Sequence, residues 1–316
     1  MLSVVVPVYN NELSLPRLLE ALERVAARLD DRLEVVFVVD GATDGSQAIL
    51  QERLPTWPLQ TQLIELSRNF GAFAAIAAGL RLAEGDYVAV LAADLQEPPE
   101  LMLDFHRILS SGEADVVFGH RTRRVDPPVS RWLSNTFWGL YRRFVVRDMP
   151  KGGIDVFGCT RAVRDQLVAL DEANTNLIAL VLWLGFRRAF VPYERRARRE
   201  GRSGWSFGKR VRYALDSIFS FTDLPIRALL VLGGLGTLFA LTAGVIVFAM
   251  WAAGRIPVLG YTPLMLVITF FGGITALGLG IVGQYLWLTL QNARRRPNYI
   301  VKSVTRSDAR AGVDQR

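Results

Sequence analysis

The chain has 316 residues, of which 51% are hydrophobic, and it carries a formal net charge of +7. Its length suits one large domain with an appendage, and its mean hydropathy of +0.24 is high for a soluble protein. Cys159 is the only cysteine, which excludes an intrachain disulfide.

The first 120 residues alternate between short apolar runs and stretches with helical periodicity. The predicted strands cover residues 2–8, 33–39, 61–66, 86–91 and 114–119. The clearest helix begins at Leu15, because apolar residues recur at helical spacing as far as Leu29. The chain starts on a strand without a basic segment before it, so we expect no signal peptide. Alternating β and α units predict an α/β fold with a mostly parallel sheet.

Polar loops follow three of the predicted strands, at residues 9–12, 40–46 and 94–96. Ligands bind at the carboxyl ends of the strands in sheets of this type. In the third loop, the carboxylate of Asp94 and the amide oxygen of Gln96 suit a hard divalent cation bound to a diphosphate. Pro98 and Pro99 then open a helix, where a missing N–H costs little.

Residues 92–100 resemble the DxDLQ-P-P-E motif of family 2 glycosyltransferases that load a sugar onto a polyprenyl phosphate. Further stretches resemble other motifs of this family in the same order: residues 4–10, 39–46, 67–71, 78–80 and 153–161. Together these motifs are specific, whereas each alone is weak. Two carboxylates usual in the family are absent, because Ala92 and Val39 occupy their positions, and Phe157 and Gly158 depart from the last motif. The resemblance implies a Rossmann-like nucleotide-diphospho-sugar transferase domain of the GT-A type.

The resemblance also implies a nucleotide-sugar site with a divalent metal, Mg²⁺ or Mn²⁺, on Asp94 and Gln96. It assigns the nucleotide to Pro7, Tyr9, Asn10, Glu12, Asp40, Asp44 and Arg68. From the residues alone, the loop of residues 40–46 is equally compatible with a plain turn, and Asp44 with a cap of the following helix. Arg68 has two possible partners, the diphosphate or a core carboxylate, and Asp94 has a simpler alternative as a loop cap.

The acceptor side is expected in residues 120–200. Arginine suits phosphate oxygens, and the resemblance favours Arg121 and Arg131 for the lipid phosphate, with Ser134 near them. General attraction to the membrane explains the other arginines of this region, Arg123, Arg124, Arg142 and Arg143. Because a phosphate monoester is largely dianionic at neutral pH, it attacks the anomeric carbon without a general base. The predicted catalytic residues are therefore Asp94, Gln96, Arg121 and Arg131.

The second half of the chain contains two long stretches without charged side chains, residues 228–253 and 256–293. Each is long enough for a membrane span, and we predict spans at residues 226–253 and 263–290, joined by a short extracytoplasmic loop at residues 254–262. The alternative is a pair of buried core helices. The loop carries only Arg255, whereas basic clusters flank the two spans on the other side. The positive-inside rule therefore places both termini in the cytoplasm of a multi-pass protein of the cell inner membrane.

Three further segments complete the predicted organisation. Residues 1–200 form the cytoplasmic glycosyltransferase domain, and residues 201–225 form an amphipathic helix in the membrane interface. An ordinary surface helix is the alternative for that segment. Residues 291–316 form a basic cytoplasmic tail, which we expect to be poorly ordered from Pro297 onwards.

The predicted function is an inverting transfer of a hexose from a nucleotide sugar, UDP-glucose or a related UDP-sugar, to undecaprenyl phosphate. Ala92 and Val39 motivate an alternative, a degenerate membrane scaffold without activity, and a synthase acting on another membrane lipid is a further one. A processive polysaccharide synthase is disfavoured because the Q-x-x-R-W motif is absent: Pro128 stands in the place of its Gln, before Arg131 and Trp132. Nucleic acid is not an expected partner, since the arginines cluster beside the membrane segments.

We also expect a homo-oligomer, a dimer or tetramer. In the second predicted span a stripe of small residues, Gly272, Ala276 and Gly280, continues to Gln284. Such a stripe lets another helix approach closely, and the Gln can hydrogen-bond across the contact. The alternative is that this face packs only against the first span of the same chain.

Overall fold

The computed structural model describes residues 1–30, 32–122, 154–170, 177–196, 224–253, 261–294 and 296–307. The chain divides into two compact units, one of Met1–Tyr213 with Pro297–Arg316 and one of Ala214–Arg296. The described residues do not include Arg131, Ser134 or the arginines at positions 123, 124, 142 and 143. They also do not include residues 201–223 of the predicted interface helix at 201–225, whose last two residues begin a longer helix, Leu224–Ala252.

The first unit is built on an eight-stranded sheet. Its strands are β1 Leu2–Val8, β2 Leu33–Val39, β3 Gln60–Leu66, β4 Tyr87–Val90, β5 Val116–Arg121, β6 Ile154–Thr160, β7 Arg188–Tyr193 and β8 Val301–Ser307. Their order across the sheet is β7-β5-β6-β4-β1-β2-β3-β8. The five predicted strands are found, with ends that differ from the prediction by at most two residues, and the α/β class is confirmed.

Six of the eight strands run in the same direction. β1 pairs parallel with β2 and β4, β2 with β3, and β5 with β7. β6 runs antiparallel to both β4 and β5, and β8 runs antiparallel to β3. The carboxyl ends of β1, β2, β3, β4, β5 and β7 therefore lie at one edge of the sheet, together with the amino ends of β6 and β8. We call this the carboxyl edge.

Helices of this unit connect the strands. They are α1 Leu15–Ala27, α2 Ser46–Arg53, α3 Ala72–Leu82, α4 Leu101–Ser110, α5 Arg161–Leu170 and α6 Leu177–Trp183. In α1 the apolar residues, among them Leu15, Leu18 and Leu22, recur every three or four positions and are buried. Burying each such side chain stabilises the fold by about 1.5–3 kcal/mol. In α3, a Cβ on Gly79 would overlap the side chain of Val5, so only glycine lets this helix lie so close to β1.

The C-terminal segment corrects one prediction. We expected the polar tail from Pro297 to be poorly ordered, but residues 301–307 form β8 along β3. Lys302 lies 3.7 Å from Glu65, and Arg306 lies 3.2 Å from Glu84. An edge strand needs no fully buried face and often carries charged side chains. The sequence of β8 therefore shows little apolar alternation, and hydrophobic periodicity does not predict this strand.

The second unit contains α7 Leu224–Ala252 and α8 Tyr261–Ala293. Within α8, Phe270–Leu290 is long and apolar enough to cross a membrane, and none of its most apolar window is buried, unlike a core helix. It is the one candidate span among the described residues; Ala228–Ala243 of α7 is a shorter apolar helix. The first predicted span, at residues 226–253, therefore stays a prediction.

α7 and α8 contact each other through glycines outside the predicted stripe. A Cβ on Gly278 would lie 3.2 Å from Leu229, and a Cβ on Gly236 would lie 3.2 Å from Phe271. No described atom comes within 4 Å of the Cβ positions of Gly272 or Gly280. At these two glycines the stripe therefore does not pack against α7 in the part of the chain that the structure describes.

Candidate active site

The described residues that the sequence assigned to the nucleotide, the metal and the lipid phosphate lie at or next to the carboxyl edge, and the structure adds Glu97, Tyr193 and Arg195 to them. Together these residues fall into two groups. The first, which we call the β1–β3 loops, comprises residues 9–12, 40–46 and 67–71, which follow β1, β2 and β3. The second, which we call the β4–β7 cluster, comprises Asp94, Gln96, Glu97, Arg121, Asp155, Tyr193 and Arg195.

Hydrogen bonds join the first two of the β1–β3 loops to each other. The backbone N–H of Thr43 donates to Asn10 Oδ1 at 2.9 Å, and the N–H of Glu12 donates to Asp44 Oδ2 at 3.0 Å. The N–H of Gly45 donates to Glu12 Oε2 at 2.6 Å. Asn10 takes the left-handed conformation, with φ of 55°, which asparagine tolerates better than most residues. Predicted nucleotide ligands therefore shape the two loops into one surface.

Asp40 supports the third loop. Its side chain is only 2% exposed, and its two carboxylate oxygens accept the N–H groups of Phe70 and Gly71 at 2.7 and 2.8 Å. Burial raises the pKa of Asp40, although these hydrogen bonds and Arg68 oppose the rise. Asp40 thus positions the start of α3, and a direct contact to a nucleotide stays a prediction.

Asp44 caps α2, as the alternative interpretation held. Its Oδ1 accepts the N–H of Ser46, the first residue of that helix, at 3.1 Å. Burial raises the pKa of Asp44, but the hydrogen bonds from Ser46 and Glu12 outweigh it and leave the pKa below its ordinary value. Capping does not exclude a ligand, because a carboxylate has further lone pairs.

The remaining predicted residues of this group lie at the surface. Tyr9 is 47% exposed beyond the end of β1, which contains Pro7. The guanidinium of Arg68 lies 4.0 Å from the centre of the Phe70 ring, and its side chain is exposed, so a buried pairing with a core carboxylate does not occur. Val39, which replaces a family Asp, is 1% exposed and packs in the core, so this position offers no polar group to a nucleotide.

In the β4–β7 cluster, the loop after β4 has a constrained backbone. Asp94 Oδ1 accepts the N–H of Gln96 at 3.2 Å, and Leu95 between them has a φ of 56°. A positive φ strains a leucine, so the loop depends on contacts from outside it. Arg195 supplies one such contact, because its Nη2 donates to Gln96 Oε1, and Arg196 supplies another through its N–H to the Gln96 carbonyl at 2.9 Å.

Glu97 is a buried acid that the sequence analysis left unassigned. Its side chain is 2% exposed, and burial together with Asp94 and Asp155 raises its pKa to about 7. Arg195 opposes this rise and has its Nε 3.8 Å from Glu97 Oε1. Among the described residues, no hydrogen bond reaches Glu97 Oε2. The acidic residue beside Gln96 was visible in the sequence, but its burial was not.

Arg121 belongs to a three-residue network. Its Nη2 donates to Asp155 Oδ1 at 2.6 Å, and its Nε lies 2.5 Å from Oδ2 in an ion-pair contact that lacks the geometry of a hydrogen bond. The hydroxyl of Tyr193 donates to Asp155 Oδ2 at 2.5 Å, and burial followed by the charge of Asp155 raises the pKa of Tyr193. Asp155 was part of a recognised motif, whereas nothing in the sequence pointed to Tyr193 or Arg195.

The oxygen ligands of the loop after β4 are of the type that Mg²⁺ and Mn²⁺ prefer. Asp94 offers a carboxylate and Gln96 an amide oxygen, and a cation bound to a diphosphate takes its other ligands from phosphate and water. Across the described parts of the chain, no group of three or more His, Cys, Asp or Glu side chains is placed to hold a metal by itself. The residues present therefore fit a metal that arrives with a diphosphate, and metal binding stays a prediction.

Comparison with known proteins agrees with the motifs. The model of the family "Glycosyl transferase family 2" matches residues 3–169. An undecaprenyl-phosphate 4-deoxy-4-formamido-L-arabinose transferase of Pseudomonas fluorescens is 33% identical over 98% of this chain and 91% of its own length. The putative glycosyltransferase CsbB of Bacillus subtilis is 30% identical over 96% of this chain and 91% of its own. Among solved structures, glucosyl-3-phosphoglycerate synthase from Mycobacterium tuberculosis has a TM-score of 0.49 at 17% identity, covering 69% of this chain and 77% of that one. The family indicated by the sequence is confirmed.

Proposed function

This chain belongs to glycosyl transferase family 2, and within that family we propose that it transfers a hexose from a nucleotide sugar to a polyprenyl phosphate at a membrane surface. One observation carries the proposal. Arg195 and Arg196 bond to Gln96, and Tyr193 in the same segment bonds to Asp155, which in turn holds Arg121. The loop suited to a diphosphate and an arginine suited to a phosphate therefore belong to one charged cluster.

On the donor side, Asp94 and Gln96 would hold the divalent metal. When bound, the metal neutralises the charge that develops on the leaving diphosphate. The β1–β3 loops would bind the nucleotide, with Tyr9 and Arg68 as the exposed side chains and Asp40, Asp44, Asn10 and Glu12 as the groups that hold the loops in shape. UDP-glucose or a related UDP-sugar is the donor that we propose.

On the acceptor side, Arg121 would bind the phosphate of the lipid. Asp155 holds one side of the guanidinium through the hydrogen bond from Nη2 and the close contact of Nε, and this charged pair restricts the rotation of the arginine fork. Arg131 and Ser134 complete this half in the proposal. Asp155 accepts hydrogen bonds from Arg121 and Tyr193, so we assign it the orientation of Arg121 and no role as a base.

The reaction needs no general base in this scheme. The second pKa of a phosphate monoester is near 6, so an oxygen of the acceptor dianion attacks the anomeric carbon directly. A new bond forms between that carbon and the lipid phosphate, and the bond from the carbon to the nucleoside diphosphate breaks. A single displacement of this kind inverts the anomeric centre.

Chain connectivity supports a membrane hairpin. β7 precedes α7 and β8 follows α8, and both strands belong to the same sheet. A chain that leaves one domain and returns to it crosses a membrane an even number of times. With a span in α8, we therefore propose a second one in α7, whose 29 residues extend about 43 Å at roughly 1.5 Å per residue. Together with the positive-inside pattern, this supports our proposal that the catalytic unit and both termini face the cytoplasm.

One assay tests the transfer. Purified protein in detergent is incubated with undecaprenyl phosphate and a panel of radiolabelled UDP- and GDP-sugars, and the lipid products are separated. We expect one labelled lipid that requires both substrates and a divalent metal. A panel that yields no labelled lipid would contradict the proposal and favour the inactive scaffold that Ala92 suggests.

Ala92 gives a second test of the scaffold alternative. If the missing carboxylate only weakens donor binding, Ala92→Asp should lower the donor KM or leave it unchanged. A large loss of activity would show instead that the pocket is built around the small residue. In either case a measurable wild-type rate excludes an inactive scaffold.

We also propose that the stripe on α8 joins copies of the chain. Gly272 and Gly280 meet no described atom within 4 Å, so another helix has room to approach there. Gly280→Leu should convert the solubilised oligomer to a monomer in light-scattering chromatography. Val282→Leu serves as the control, because Val282 is exposed and lies two residues, or about 200°, around the helix from Gly280. A wild type that is monomeric in mild detergent and in nanodiscs would refute this.

A further inference from the structure

The segment of residues 193–196, at and just after the end of β7, contacts both the donor side and the acceptor side of the candidate site. On one side, the hydroxyl of Tyr193 donates to Asp155, which holds Arg121. On the other side, Arg195 donates to the amide oxygen of Gln96 through Nη2, and the N–H of Arg196 donates to the Gln96 carbonyl at 2.9 Å. The side chain of Arg196 also lies 3.6 Å from Glu100. We call residues 193–196 the bridging segment.

The loop after β4 needs this support for a physical reason. Leu95 has a φ of 56°, which costs a residue with a Cβ about 1–2 kcal/mol. The amide of Gln96 ends a side chain with three rotatable bonds, and the contact with Arg195 selects one orientation of its oxygen. Within the loop, Asp94 Oδ1 accepts the backbone N–H of Gln96 at 3.2 Å.

We infer that Arg195 is a positioning residue: it holds the Gln96 oxygen in one orientation, as a metal bound to the donor diphosphate would need, and, through the bridging segment, it couples the donor side of the site to Arg121 on the acceptor side. The inference rests on the proposed function and deepens it. Removing a residue that hydrogen-bonds to a metal ligand and orients it typically lowers metal affinity or activity by 10- to 100-fold.

Coupling follows from the shared segment. A phosphate that draws Arg121 moves its partner Asp155, and Tyr193 is bonded to Asp155 two residues from Arg195. Binding linkage is reciprocal, so the acceptor changes the affinity for the nucleoside diphosphate by the same factor as the reverse effect. We expect this coupling to be favourable, because a phosphate that restrains Arg121, Asp155 and Tyr193 also restrains the segment that holds Gln96, and we expect it to depend on Arg195.

The experiment measures binding without turnover. Titration calorimetry gives the Kd of UDP, and separately of GDP, for the full-length protein in detergent with Mn²⁺, in the presence and absence of undecaprenyl phosphate. Neither pair of ligands contains a sugar to transfer. The variants are Arg195→Ala, Arg195→Lys and Arg187→Ala. Arg187 is the matched control, because it precedes the same strand and pairs with Asp115 at 2.9 Å away from the carboxyl edge.

In the wild type we expect undecaprenyl phosphate to lower the Kd of UDP at least about fivefold. Arg195→Ala should raise that Kd about tenfold and bring the effect of the lipid close to none. Arg195→Lys keeps the positive charge near Glu97 but lacks the guanidinium, so its Kd for UDP should lie between those of the wild type and Arg195→Ala. Arg187→Ala should behave as the wild type, and the Tm of all three variants should agree within a few degrees.

Two results would overturn the inference. One is an Arg195→Ala variant with the wild-type Kd and the wild-type response to the lipid. The other is a variant whose Tm falls far below that of Arg187→Ala and which loses UDP binding with it, since Arg195 would then only hold the fold. A wild type that binds neither UDP nor GDP is a different failure, because it refutes the proposed function itself.

Discussion

The β1–β3 loops and the β4–β7 cluster are held together by different kinds of hydrogen bond. In the β1–β3 loops, the carboxylates of Glu12, Asp40 and Asp44 accept backbone N–H groups. In the β4–β7 cluster, Arg121 and Arg195 instead bond to other side chains, those of Asp155 and Gln96. A carboxylate bonded to backbone N–H groups fixes the path of a loop, whereas a network of side chains fixes the direction and charge of groups that meet a ligand.

Substitutions in the β1–β3 loops and in the β4–β7 cluster should therefore have different effects. A substitution in the β1–β3 loops should lower the free energy of unfolding, because it releases backbone groups that are buried or half-buried. A substitution of Asp94 or Arg121 in the β4–β7 cluster should instead lower the rate or the substrate affinity, with a smaller effect on folding.

The largest effect is expected at Asp94. Asp94→Ala should reduce transfer at least about a thousandfold, because the diphosphate then lacks the cation that this carboxylate holds. The measurement is the initial rate of lipid product formation, with the Tm as a check on folding. Asp104→Ala is the control, since Asp104 is an exposed acid on α4 that lies 3.9 Å from Arg107. Activity that survives both Asp94→Ala and EDTA would remove the metal from the proposal.

The next effect concerns Arg121. Arg121→Ala should raise the KM for polyprenyl phosphate about ten- to a hundredfold, the cost of one charge-assisted hydrogen bond, and leave the donor KM nearly unchanged. Arg131→Ala should act in the same way. Asp155→Asn should have a smaller effect in the same direction, because it loosens the fork without removing it. Equal increases in both KM values would place Arg121 on the donor diphosphate and contradict its assignment to the acceptor side.

A third prediction uses the acid inside the cluster. The pKa of Glu97 is raised from 4.5 to about 7, so the folded state holds this proton more tightly than the unfolded state. As the pH rises from 4.5 to 7 the unfolded state releases the proton first, and the wild type loses stability until the pH exceeds 7. Glu97→Gln lacks this titration. Its advantage over the wild type should grow by about 3 kcal/mol between pH 4.5 and 8.

The measurement for Glu97 is the Tm of metal-free protein in EDTA across that pH range. Glu100→Gln is the control, because Glu100 belongs to the same segment but is exposed, and its difference from the wild type should not vary with pH. A Glu97→Gln variant whose Tm runs parallel to the wild type at every pH would show that Glu97 is ionised normally in the folded protein.

The smallest effect is expected in the β1–β3 loops. Asp40→Ala releases the N–H groups of Phe70 and Gly71 and should lower the free energy of unfolding by about 2 kcal/mol. Thermal unfolding measures this loss, and Asp40→Asn should lose less because one acceptor remains. A stable Asp40→Ala variant with a strongly raised donor KM would show that Asp40 is a direct nucleotide ligand. The proposed difference between the β1–β3 loops and the β4–β7 cluster would then not hold.

Much of the sheet could be read from local patterns. β1 and β2 consist almost entirely of valine, leucine and other apolar residues, and buried parallel strands require such runs, so their ends were predicted to the residue. β8 has no such run, because its stability comes from pairing with β3 and not from its own composition. β6 and β7 lie beyond the regular alternation of the first 120 residues and were not predicted.

The order of motifs along the chain determined the family, the type of fold and the placement of Asp94, Gln96 and Arg121 at strand ends, since each of these follows from residues close together in sequence. Only the tertiary structure decided what these side chains bond to. Arg195 meets Gln96 across 99 positions, and Tyr193 meets Asp155 across 38. Such partners are brought together by the order of strands in the sheet, and no local pattern carries that information. The burial that raises the pKa of Glu97 has the same origin, because it depends on which distant elements close over the loop.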